Sequence, residues 1–194
     1  MVKRTSLFTI WYCRQYDQRG GLIIDKIKRT FKFSLILYFY CMYTKQQASQ
    51  LRHEFWTAFG LYMSPILSAD GEKINWVNYK TGEKHLFFKL EADQQFASIG
   101  IEMTHPALDM QKAYFDHFLQ LQVMLNEAVG EKWDWVLHTT NENSKVVSKI
   151  FIEIAGKNIF NKEDWPALIS FFKPRLIALD AFWCGVKDSF QMIG

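Results

Sequence analysis

From Ala48 onward the chain repeats apolar residues at steps of three and four: Ala48, Leu51, Phe55, Phe59 and Tyr62, with Trp56 and Met63 widening the stripe. That period places apolar side chains on one face of an α-helix. Thr44 followed by Gln47 reads as a capping box at its start. Ser64-Pro65 ends it, because the residue before a proline is driven out of the α region. The period then falls to two. Ile74–Tyr79 reads as a short strand, Lys80–Glu83 as a turn with Gly82 free to take positive φ, and His85–Ala92 as the returning strand with Leu86, Phe88 and Leu90 on one face. In Phe96–Thr104 the residues Ala97, Ile99, Ile101 and Met103 alternate with Phe96, Ser98, Gly100 and Glu102. Together these predict an antiparallel meander of three strands.

Pro106 suits the first turn of a second helix, capped by Thr104 or His105. Its apolar face is Leu108, Tyr114, Phe115, Phe118, Leu121, Leu125 and Val129, and Gly130 stops it. Trp133–Thr140 and Lys145–Ala155 read as a second hairpin. The last helix runs from about Trp165 to about Ser189, with Asp164 as N-cap and Pro166 at N1. Along it Trp165, Ile169, Phe172, Leu176, Leu179, Trp183, Val186 and Phe190 form a heptad seam. Leu168, Phe171, Ile177 and Phe182 widen that seam, which points to burial inside the domain rather than to a two-stranded coiled coil. Pro174 removes one interior hydrogen bond, near Ser170. The order α-β-β-β-α-β-β-α makes an α+β fold, a largely antiparallel sheet packed by three helices. Its expected core is Phe55, Phe59, Ile99, Ile101, Phe118, Leu125, Trp135, Ile152, Phe172, Leu179 and Trp183.

Charge divides the chain at Met42. The first 41 residues carry eight Lys and Arg against two acids, leaving 15 basic and 18 acidic residues for the remainder, so the net charge of +3 belongs to the first segment alone. Met42-Tyr-Thr-Lys-Gln-Gln is an ordinary bacterial start. Residues 1–41 therefore read as a non-native or disordered extension, and 42–194 as one α+β domain, long enough at 153 residues to build a core. The apolar run Phe33–Tyr43 is about half of what crosses a bilayer and lacks the flanks of a signal peptide. No membrane association is expected, and the cytoplasm is the expected compartment.

Chemistry-bearing motifs are sparse. Cys13, Cys41 and Cys184 form no CxxC and no disulfide framework. His53, His85, His105, His117 and His138 show no metal spacing. There is no P-loop, no dinucleotide glycine motif and no nucleophile elbow. The sheet face opposite the apolar one should carry Lys89, Glu91, Glu102, Asp134, His138, Lys149 and Glu153, a solvated face or a binding surface, with Gly100 marking a close approach.

Two constellations remain. The order α-β-β-β-α-β over Thr44–Thr140 resembles the core of the PD-(D/E)xK nucleases, a restriction-endonuclease-like fold. That likeness implies a divalent ion such as Mg held by a second-strand acid and a third-strand acid-x-Lys. Glu102 matches the third-strand acid, and Glu91 or Asp93 the second, but Thr104 stands where the lysine belongs; Lys89 or Lys149 could stand in. The other constellation is a basic patch, Lys73, Lys80, Lys84 and Lys89, interleaved with Trp76, Tyr79 and Phe87, of the kind that contacts phosphates and stacks bases.

The stretches Gln50–Phe59, Lys73–Gly82, His138-Thr-Thr, Asn158-Ile-Phe-Asn161, Asp164-Trp-Pro, Lys173-Pro-Arg, Leu179-Asp and Phe182-Trp resemble a bacterial family catalogued as domain of unknown function 4268. The resemblance covers residues 42–190 and none of 1–41. It implies a small α+β protein, elsewhere the C-terminal part of longer proteins with nuclease-like regions, and it carries over no catalytic residue, cofactor or metal ligand. The expected function is a non-enzymatic binding or accessory module with a protein or nucleic-acid partner. The alternative is a divergent metal-dependent nuclease.

Overall fold

The computed structural model describes residues 45–141 and 143–193, with the Met192 side chain excepted. The expectations about residues 1–41 and the Thr44 cap lie outside the described residues. The order is α1 (Lys45–Met63), β1 (Leu86–Ala92), β2 (Phe96–Met103), α2 (Leu108–Gln120), α3 (Gln122–Val129), β3 (Asp134–Thr140), β4 (Val146–Ala155), a 3-10 turn at Lys162–Asp164, α4 (Trp165–Val186) and a closing 3-10 segment, Lys187–Met192. The fold is α+β. Its four strands make one antiparallel sheet in the order β1-β2-β4-β3.

The register explains the layers. Phe88 pairs with Ile101, Ile101 with Ile150 and Ile150 with Trp135, so these four stand in one row on one face. Phe88 meets Trp183 of α4 edge-on, at 6.1 Å between ring centres, and Trp135 meets Phe115 of α2 at 5.6 Å. Both helices therefore cover the same sheet face, and α3 packs on α4. Inside, Phe172 touches the rings of Phe55, Trp56, Phe59 and Phe171. Every expected core residue belongs to this cluster, with Trp135 and Ile152 only partly buried. The heptad seam of α4 is thus spent inside the domain.

Three local expectations need correction. Ile74–Tyr79 is not a strand. Asn75 Oδ1 accepts the Val77 and Asn78 amides at 3.1 and 3.0 Å, an Asx turn that bends the backbone away from a ladder. Trp76 donates its indole N–H to the Ile66 carbonyl at 2.9 Å. The meander is therefore a hairpin, and the α-β-β-β-α-β order that suggested a nuclease core does not occur among the described residues. The long second helix is divided at Leu121, whose amide is shared between the His117 and Phe118 carbonyls, giving four α-helices among the described residues instead of three. It also begins at Leu108 with Ala107 as N-cap and no side-chain cap, because the His105 ring turns in to accept the Ala107 amide at 3.1 Å. Its expected stop holds, since Gly130 ends α3 at φ 73°.

A bulge between Val136 and Thr139 takes His138 off the outward row expected for it. His138 adopts φ 52°, its amide donates to Ser148 Oγ at 3.1 Å and its ring bonds the Leu108 carbonyl at 3.0 Å. Ser148 Oγ in turn donates to Gln111 Oε1, and Gln111 Nε2 donates to the His105 and Val146 carbonyls. This buried polar knot is fully satisfied and fixes α2 on the β3–β4 hairpin. His85, at φ 63°, stands just before β1, its carbonyl still accepting the Thr104 amide at 2.8 Å, and its ring packs edge-on against His105.

Gly100 has a steric reason. A Cβ there would lie 2.5 Å from the Ile150 carbonyl oxygen and 2.6 Å from Phe151 Cβ. The close approach that a strand glycine signals is to the neighbouring strand. Gly100→Ala is expected to cost about 1–3 kcal/mol, the usual range for overpacking. It should appear as a lower urea midpoint at unchanged m-value. A variant as stable as the parent would show that β2 and β4 separate freely at this point.

Candidate functional site

The sheet face opposite the one that α2 and α4 cover holds a cleft of about 410 Å³. Register builds its floor in rows. Phe87, Glu102, Lys149 and Val136 make one, Lys89, Gly100, Phe151 and Asp134 the next, and Glu91, Ser98 and Glu153 a third. Gly100 leaves the middle of β2 without a side chain, so the floor is lowest there. Because β2 is a central strand, even its outward residues are sheltered: Glu102 is 5% and Ser98 8% exposed. Thr139, Thr140, Asn141 and Asn143 close one side, and Phe96 and Phe151 supply apolar surface.

Glu102 sits opposite Lys149 in register, with Nζ 3.6 Å from Oε2. A nearly buried carboxylate needs such a counter-charge. The expected partners behave differently. Glu91 lies on the same face, but Glu102 pairs with Phe87, four residues before it, which separates the two by about 13 Å at a strand's rise of ~3.3 Å per residue. Asp93 lies past the end of β1, 3.5 Å from Arg52. Divalent ions need oxygens within about 2.0–2.6 Å of one centre. This donor set does not fit a shared Mg ion, and among the described residues no group of three or more His, Cys, Asp and Glu could hold a metal. The cleft does gather Lys89, Glu91, Glu102 and Lys149.

Of the basic patch, Lys73, Lys80, Lys84 and Lys89 are all exposed. Two of the three interleaved aromatics are turned inward. Trp76 is buried, and Tyr79 stacks on Phe88 at 4.7 Å between ring centres. Phe87 alone keeps an exposed ring.

Sequence reasoning missed a second constellation, around Asp180. It is 3% exposed within α4 and has no cationic partner among the described residues. Its oxygens accept the Ala69 amide at 2.6 Å and the Tyr79 hydroxyl at 2.7 Å, from more than a hundred positions earlier in the chain. It clamps the irregular segment 64–85 to the helix. Burial, then the bond to Asp180, pushes the Tyr79 phenol well above its ordinary value. Nearby, Asp70 accepts from Cys184 Sγ at 2.7 Å and Lys187 Nζ at 2.8 Å. The bond to Asp70 holds the Cys184 thiol above its usual range, the reverse of what a nucleophilic cysteine needs. The available signal was the sole acid of α4, set between Leu179 and Phe182 in its apolar second half.

A protein-family model described as Domain of unknown function (DUF4268) matches residues 51–187, and the chain belongs to that family. No curated protein and no solved structure matches the chain. Among the described residues no helix is long and apolar enough to cross a membrane.

Proposed function

We propose that this member of the DUF4268 family is a non-catalytic binding module whose recognition surface is the open sheet face, and that its partner is a polypeptide. The observation that carries the reading is the make-up of the cleft. Two lysines, Lys89 and Lys149, stand among three carboxylates, Glu91, Glu102 and Glu153. Lys149 is already engaged by Glu102. A phosphate backbone needs a surplus of free cations, and this face has a deficit. Hydroxyl, amide and ring groups beside charges of both signs suit the mixed polarity of a protein surface. Thr104 in place of a lysine, and the wide separation of Glu91 from Glu102, weigh against a metal-dependent nuclease, and no Mg site is part of the proposal.

The test uses the full chain. A photo-crosslinking residue at Val136 or Glu153 is expected to capture polypeptide in the native host, while the same probe at Lys112 on α2 captures none. DNA should survive incubation with Mg or Mn. Metal-dependent cleavage abolished by Glu102→Ala would replace this reading with the nuclease. Crosslinks from the cleft to nucleic acid would replace the polypeptide partner.

A further inference from the structure

The surplus negative charge of the cleft sits in one row of its floor. In the first row Glu102 is answered by Lys149. The second carries one base, Lys89, and one acid, Asp134. The third, Glu91, Ser98 and Glu153, carries two acids and no base. β3 begins at Asp134, opposite Phe151, so no strand residue stands beyond Glu153. Arg52, which shares a smaller cleft with Glu91, is engaged by Asp93 at 3.5 Å. Neither Glu91 nor Glu153 has a cationic partner among the described residues.

Neighbouring strands lie about 4.8 Å apart, so the Cα atoms of Glu91 and Glu153 stand about 10 Å from one another with Ser98 midway. All three line the cleft. Ser98 is 8% exposed, and its hydroxyl has no hydrogen-bond partner among the described residues. A polar group so deeply placed ordinarily has one. Two open carboxylates thus flank a buried, unanswered hydroxyl. The ground around them is apolar or empty: Phe96 and Gly100 are the next residues of β2 on this face, and Phe151 is the next of β4.

We infer that this row seats an arginine of the partner polypeptide, an inference that rests on the open sheet face being the recognition surface. The charge of the row calls for a cation, and its width selects which one. An ammonium is a point charge. A guanidinium spreads five donors over a plane, so it can meet a carboxylate on either side and Ser98 Oγ between them. Its flat face also suits the rings of Phe96 and Phe151. Gly100 gives the methylenes of the arginine a floor to lie on. Lys89, beside Gly100 in the next row, repels a second cation and so confines the arginine to the Ser98 row.

The probe is the peptide Ac-Ser-Gly-Arg-Gly-Ser-amide, titrated into the ¹⁵N-labelled full chain. Saturable shifts are expected at the Ser98, Gly100 and Phe151 amides. Citrulline in place of arginine keeps the shape and removes the charge, and should abolish them. Lysine should bind at least about threefold more weakly. Glu91→Gln with Glu153→Gln, neither side chain being buried, should weaken the arginine peptide at least about tenfold. No saturable shifts, equal binding of the citrulline or lysine peptide, or indifference to the double substitution would each overturn the inference. The photo-crosslinker at Val136 separates it from the reading it rests on. Polypeptide captured equally by the parent and by the double variant would overturn the arginine anchor and leave the binding module standing. Arginine-peptide binding without any polypeptide captured in the host would keep the guanidinium site and overturn the polypeptide partner.

Discussion

Phe172→Ala is expected to remove about 3–5 kcal/mol of folding free energy, the range for emptying a buried aromatic site. Phe172 is fully buried and stands where α1 meets α4, against Phe55, Trp56 and Phe59. Its neighbours are rings on two different helices, so neither side can collapse into the void without moving a backbone. At about 2–4 °C per kcal/mol for a chain of this size, the melting temperature should fall by roughly 6–20 °C. Phe172→Leu keeps most of the volume and should lose less. The experiment also separates the two readings of the heptad seam. If Phe172→Ala costs under about 1 kcal/mol but disperses an oligomer, the seam is an intermolecular contact and the packing described here is wrong.

The second large effect is expected at Asp180. Asp180→Ala strips the acceptor from the Ala69 amide and the Tyr79 hydroxyl at once. A buried donor left unpaired costs about 1–3 kcal/mol, so the loss should approach that of a core truncation. The damage should be local first: amide exchange across segment 64–85 rises before β2 or β4 responds. Asp180→Asn preserves shape and one acceptor and should lose less. It also offers a spectroscopic reading. Burial and the bond to Asp180 keep the Tyr79 phenol protonated past its ordinary value near 10. The folded-state value is the raised one, so this contribution to stability is complete below about pH 10 and is lost as pH climbs through the folded-state value. In Asp180→Asn the phenol should ionise at lower pH, and an unchanged phenol titration would mean that Asp180 does not hold Tyr79.

α1, the β1–β2 and β3–β4 hairpins and α4 were legible without coordinates, since each is specified by side-chain periodicity within its own length. So was the stop at Gly130, because only a residue free of Cβ crowding takes positive φ easily. The α+β class followed from that order. Glu102, Glu91, Lys89 and Lys149 were legible as residues of one face, because alternation assigns faces. Alternation says nothing of depth. Glu102 is buried because β2 became a central strand, a result of pairing between β2 and β4, segments about fifty residues apart, and Asp93 fell out of the group because β1 ends before it. Ile74–Tyr79 has a strand's composition, yet tertiary contacts outweighed it: Trp76 has its acceptor at Ile66, and Tyr79 has its own on α4. A strand there would leave the Trp76 indole without its acceptor and the buried Asp180 carboxylate with the Ala69 amide alone. β1 is an edge strand among the described residues because that competition went to the side chains.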